Sequence, residues 1–170
     1  MKLSEMPYAR PDIDAILARC RQFAADAAAA STGEALAKVY YDQSAAMGAF
    51  STAANLANIH YTCDTRDPYW QAEQDFFDQN SPAVSSDQVE IYRAILANPH
   101  VHALTEAFGT TCVPGMRNAV LAVDSRVTAL QQEANTISSL YQRLYGGALV
   151  ELDGKQLTIP QLGPYKQSLD

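Results

Sequence analysis

From Met116 to Leu144 the apolar residues Met116, Val120, Val123, Val127, Leu130, Ala134, Ile137, Tyr141 and Leu144 follow one another in steps of four and three without a slip. A stripe of that period belongs to one face of an α-helix, because strands alternate every second residue. Such regularity limits the fold to one in which long helices lie along one another, and the stripe is expected to face a core. Asp124-Ser125 inside the run suits a helix N-cap, so one long helix and two helices in register both fit. Gly146-Gly147 ends the pattern in either case.

The chain upstream carries the same signal in several pieces. Pro11 suits the start of a first helix, with Asp12 and Asp14 near its positive end and Ile13, Ile16, Leu17, Cys20, Phe23 and Ala27 on one face. Ser31-Thr32-Gly33-Glu34 has the S-x-x-E pattern of a capping box. Behind it Leu36, Tyr40, Met47, Phe50, Ala54, Ala57 and Tyr61 form a long stripe broken by Gln43. Asp67-Pro68 opens a third helix, in which Tyr69 and Phe76, like Trp70 and Phe77, share a face. These aromatic residues are read as helix-packing core.

Asn80-Ser81-Pro82 reads as a stop followed by a fresh helix carrying Val84, Gln88, Ile91, Tyr92 and Ile95, and Asn98-Pro99 repeats the device. A short helix with Val101, Leu104 and Phe108 ends at Gly109. After Gly147 the period changes: Ala148, Val150 and Leu152 alternate, Asp153-Gly154 supplies a two-residue turn, and Leu157 and Ile159 resume. That turn sets Val150 opposite Leu157 and Ala148 opposite Ile159. The expected fold is mainly α: a bundle of long antiparallel helices with inward apolar stripes and one small C-terminal β-hairpin, with residues 1–170 as a single helical domain.

A chain of 170 residues buries enough surface for one substantial core without staples. Its net charge of -7 and pI near 4.8 argue against nucleic acid as a partner, which needs a basic surface. The longest purely apolar run is Ala119 to Val123, too short for a membrane span, and Met1 to Pro7 holds no signal-peptide core, so no membrane partner and a cytoplasmic location are expected. Cys20, Cys63 and Cys112 are odd in number and far apart. Cys20 and Cys63 fall on apolar stripes, which suits buried thiols and no disulfide.

Motifs that carry chemistry are missing. His60 stands alone, while His100 and His102 are two apart and point to different sides of a helix, so no metal site is expected on them. The cysteines lack C-x-x-C spacing, no G-x-S-x-G elbow occurs, and no glycine-rich phosphate loop is present. Asp64, Asp67, Asp75 and Asp78 are acidic neighbours, but without an EF-hand glycine they read as helix caps and a solvated face. No catalytic or metal-binding residue is assigned, and the substrate-binding residues stay unknown.

Three separated segments nevertheless resemble one family. The run Tyr61-Thr62-Cys63-Asp64-Thr65-Arg66-Asp67-Pro68-Tyr69, followed by Ala72-Glu73-Gln74-Asp75-Phe76-Phe77-Asp78-Gln79-Asn80-Ser81-Pro82, resembles the amino-terminal region of the oligoendopeptidase F group of thimet-oligopeptidase-like zinc peptidases. Ser4-Glu5-Met6-Pro7-Tyr8 with Arg10-Pro11-Asp12 is similar to the start of those enzymes. Leu157-Thr158-Ile159-Pro160-Gln161-Leu162 with Pro164-Tyr165 is similar to a segment preceding their catalytic part.

The resemblance implies a non-catalytic amino-terminal helical domain of such a metallopeptidase, forming one wall of a cleft that admits short peptides. It further implies a zinc metalloendopeptidase acting on oligopeptides as the parent, with zinc, its ligands and the general base in a catalytic domain beyond Asp170. H-E-x-x-H is absent here, so this chain alone is expected to hold no zinc and to be inactive. Its implied partners are the missing C-terminal catalytic domain and short peptides, and the isolated piece is expected to be prone to self-association. The alternatives are a free-standing helical binding or scaffold protein, and a small-molecule pocket lined by Tyr61, Trp70 and Phe77.

Overall fold

A computed structural model describes residues 6–166, apart from the side chain of Ser125. The leader reading of the first residues and the Ser4-Glu5 part of the resemblance lie outside the described residues. Among these residues the elements run α1 (Ile13–Ala29), α2 (Gly33–Cys63), α3 (Pro68–Ala97), α4 (His102–Phe108), α5 (Cys112–Ala122), α6 (Thr128–Gly147), β1 (Leu149–Leu152), β2 (Lys155–Thr158) and α7 (Gly163–Lys166). The expected all-helical class with one C-terminal hairpin is what forms.

Local chemistry explains most of the boundaries. Asp12, not Pro11, caps α1 by accepting from the Ala15 N–H at 3.1 Å. Thr32, not Ser31, caps α2 by accepting from the Ala35 N–H at 3.1 Å, so the Ser31–Glu34 box is not used. The next residue, Gly33, is held to glycine by packing, because a β-carbon there would lie 2.6 Å from the Ala103 β-carbon of α4. Asp67 caps α3 as expected, accepting from the Tyr69 and Trp70 N–H groups at 2.9 and 3.4 Å. Between α5 and α6 Asp124 accepts from the Arg126 N–H at 2.9 Å and turns the chain through a short 3-10 segment, so there are two helices rather than one.

α3 is the hub, packing against α1, α2, α5 and α6, while α4 fills the space against α2 and α5. The core joins Cys20, Phe23 and Ala27 of α1, Leu36 and Met47 of α2, Val84, Ile91 and Ile95 of α3, Leu104 of α4, and Val113 and Met116 of α5. Each fully buried side chain such as Ile91 or Leu104 contributes about 1.5–3 kcal/mol over an exposed one. Buried Asn98 closes the end of α1, its amide donating to the Ala27 and Ala30 carbonyls, both at 2.9 Å.

Two expectations are corrected here, and they share a cause. α3 does not stop at Pro82: it runs unbroken from Pro68 to Ala97 with Pro82 inside. A proline at this position leaves the Asp78 carbonyl, four residues back, without its helical donor. The Asn135 amide of α6 supplies one at 3.3 Å, and the Gln132 amide donates to the adjacent Gln79 carbonyl at 2.6 Å. α6 must therefore turn its polar face to α3. Its apolar stripe consequently points outward: Leu130, Ile137, Tyr141 and Leu144 are exposed, and Ser139 is the buried residue of the helix.

The hairpin forms with Val150 opposite Leu157 and Leu152 opposite Lys155. Asp153 (φ 52°) and Gly154 (φ 72°) both take the left-handed conformation that a tight two-residue hairpin turn requires. Ala148 lies just before the strand. Leu152, Leu157 and Ile159 are half-buried, whereas Leu149 and Val150 are exposed.

Candidate functional site

The junction between α2 and α3 places the aromatic residues singled out in the sequence. Tyr61 is fully buried and its hydroxyl donates to the Ser139 carbonyl at 2.8 Å. Phe77 packs edge-on against Phe50, their ring centres 5.5 Å apart. Trp70 stacks on His60 at 4.1 Å with the planes nearly parallel, and Tyr8 meets its edge. These rings fill one another's space, which is the core reading and not a ligand box, except that Tyr69, at the first turn of α3, is 53% exposed and only its ring edge meets Trp70.

Beside them lies a clasp that sequence reasoning missed. Glu73 is 3% exposed and accepts from Arg10 Nη2 at 2.8 Å, from Arg10 Nε at 3.0 Å and from the Tyr8 hydroxyl. The Arg10 guanidinium also sits 4.7 Å from the Phe76 ring centre. Hydrogen bonds from Arg10 hold the Glu73 carboxyl below the usual carboxylate range, outweighing burial. Burial, aided by Glu73, pushes the Tyr8 phenol up. The chemistry is that of a fastening, holding the segment ahead of α1 onto α3; with Arg10 and Glu73 63 positions apart in the chain, only the fold could reveal it.

The four acidic neighbours have separate partners. Asp64 pairs with Arg66, Asp67 caps α3, Asp75 pairs with Arg143 at 3.0 Å, and Asp78 accepts from the Ser139 hydroxyl at 2.5 Å. Burial pushes the Asp78 carboxyl up, against the hydrogen bonds from Ser139 and Gln74. Among the described residues no group of three or more His, Cys, Asp and Glu side chains is placed to hold a metal ion. His100 is half-buried, and His102 is exposed at the start of α4. Cys20 is buried as expected, but Cys63 is exposed, because it is the last residue of α2 and leaves the packed part of the helix.

Tyr61, Trp70 and Phe77 line neither of the two clefts that follow. One of about 400 Å³ lies between α3 and α5, with Arg93, Leu121, Asp124 and Arg126 among its walls. Another of about 310 Å³ lies at the foot of α6, where Tyr141 and Tyr145 meet Thr62 and Pro160. The two tyrosines stack with centres 6.0 Å apart and both are exposed.

Surface character is most unusual along α6. At about 100° per residue, Gln132, Asn135, Ser139 and Arg143 form one line and meet α3, while Ile137 lies about 160° round from Ser139. The seam is polar throughout: Asn135 and Gln132 on backbone carbonyls, Ser139 on Asp78, Arg143 on Asp75, and Gln79 Nε2 donating to the Thr136 hydroxyl at 2.9 Å. The opposite line is Leu130, Ile137, Leu140, Tyr141, Leu144 and Tyr145, between 45% and 66% exposed. The period was readable in the sequence; its direction was not.

Comparison with known proteins places the chain in a family, although the family model ends before α6. A family model for the peptidase M3 N-terminal domain matches residues 3–123, well over half of the chain. The chain belongs to that family. Curated proteins give no match. Among solved structures, this M3 N-terminal domain superposes on PZ peptidase A with an inhibitor at a TM-score of 0.93 and 28% identity, over 98% of the chain. An oligoendopeptidase F matches with TM-score 0.93 and 28% identity over 99%, and an oligoendopeptidase F from Bacillus anthracis with TM-score 0.91 and 27% identity over 96%. In each case the domain spans only 30% of the other chain.

Proposed function

We propose that this domain works as the non-catalytic amino-terminal part of an oligoendopeptidase F-like zinc metallopeptidase, forming one wall of a cleft that admits short peptides. The observation that carries the reading is the match of the whole fold to 30% of each of three peptidase chains, which leaves the larger part of those enzymes to the reacting groups. The two longest helices, α2 and α3, are 31 and 30 residues long and each spans about 45 Å, which gives the domain a rigid frame of that length. A rigid wall of that length limits what enters and orients a bound peptide, which lowers a barrier without supplying a reacting group. Zinc, its ligands and the general base belong in this reading to the remaining polypeptide, which is the partner of this domain, and the enzyme works in the cytoplasm. Family membership favours the reading over a free-standing binding protein.

Zinc binding and peptide hydrolysis test it. The chain of 170 residues is titrated with zinc, analysed for metal after dialysis and assayed on short quenched peptides, beside the full product of its gene. The full product should retain about one zinc per chain and cleave. The 170-residue chain should do neither. One tightly held ion in it, lost on substitution of His60 or His102, would contradict the assignment, as would a full product that cleaves nothing.

A further inference from the structure

The outward stripe of α6 is the one long element whose amphipathicity is reversed relative to the fold described here. Helices of finished proteins turn their apolar stripe to a neighbour, and monomers rarely leave continuous apolar patches beyond a few hundred Å². Six large side chains of α6, with Leu149 and Val150 beyond them, make a surface of at least that order. From Ala134 to Val150 the sole charged residue is Arg143, and it is committed to Asp75 on the seam. The stripe is thus extended, with Glu133 near its start the one exposed charge among the residues from Leu130 to Tyr145 that lie on it.

The same fold occurs in three solved chains as 30% of their length, so 70% of each lies outside it. Resting on the functional reading above, we propose that the stripe Leu130, Ile137, Leu140, Tyr141, Leu144 and Tyr145 is the seat of the peptidase portion of the same polypeptide, which covers it with an uncharged, apolar face of its own. A tethered partner acts at a high effective concentration, which favours it over a second copy of this domain. α6 then becomes a middle layer, with a polar seam on α3 and an apolar one on the rest of the enzyme. The inversion has a purpose in this arrangement: each face of the helix meets a neighbour of its own kind.

Thiol labelling tests the seat. In a background carrying Cys63→Ser and Cys112→Ser, either Ile137→Cys or Leu144→Cys is introduced, with Arg21→Cys on the charged outer face of α1 as the control. The maleimide rate is measured in the 170-residue chain and in the full gene product. The two α6 thiols should react at nearly the rate of a free thiol in the former and at least 100-fold more slowly in the latter, with the control fast in both. Unchanged α6 rates in the full product would overturn the proposal. So would protection in the full product that is lost on dilution, which marks a second copy as the occupant, or a gene that encodes nothing beyond the 170 residues. A full product that cleaves peptides with reactive α6 thiols sinks the seat alone; one with protected thiols and no cleavage sinks the functional reading alone.

Discussion

Single residues separate core from surface in this domain sharply enough to be tested one at a time. Ile91 is fully buried and Ile137 is 59% exposed, although both stand in regular helical stripes. Ile91→Ala should cost about 2–5 kcal/mol by urea unfolding. Ile137→Asp should stay within about 0.5 kcal/mol in the 170-residue chain, where a surface position is altered. A large loss from Ile137→Asp would return the stripe to the core. Glu73 gives a prediction in pH. Its folded-state pKa is depressed by Arg10, so its contribution is present above the ordinary value of 4.5 and lost as the pH falls through the folded value. Glu73→Gln should therefore lower stability at pH 7 but lose less than the natural chain on going to pH 3. Asp78 carries the opposite sign: its raised pKa means that ionisation opposes folding, and the penalty disappears in acid. Equal acid sensitivity of the Glu73 variant and the natural chain would show that the clasp is not what titrates.

Among the helices before the hairpin, α6 stands apart because it alone enters none of the hydrophobic core. Its seam consists of hydrogen bonds and one ion pair, each worth roughly 0.5–1.5 kcal/mol net, without the apolar burial that secures α1 and α3. In the 170-residue chain its amides should exchange at least 100-fold faster than those around Ile91 in α3; uniform protection would mean that the polar seam alone is enough. The same comparison explains what the sequence could reveal. Asp67, Gly109 and the Asp153-Gly154 turn act within a few residues of themselves, so their roles were legible, as were the inward faces of α1 and α2. Pro82 misled because its consequence is met by Gln132 and Asn135, 50 and more residues away. Periodicity identifies the apolar line of a helix, but the choice between α3 and another neighbour depends on which groups α3 leaves unpaired. The Tyr8–Arg10–Glu73 clasp was hidden for the same reason.

At the scale of the molecule the domain is seven helices and a hairpin among the described residues, with α3 as the hub and one long apolar face turned outward. One side of the unit carries the hydrophobic core, and α6 on the other side exposes its apolar stripe. Membership of the M3 peptidase N-terminal domain family, and chains in which the same fold is 30% of the whole, agree with a part made to be completed. The most direct measurement is the sequence of the source gene past the Asp170 codon. The account predicts an open frame running on for roughly twice the length seen here, into a helical stretch carrying H-E-x-x-H and a later glutamate ligand. A stop codon immediately after Asp170 would contradict it and leave a free-standing helical protein whose α6 face serves some other partner.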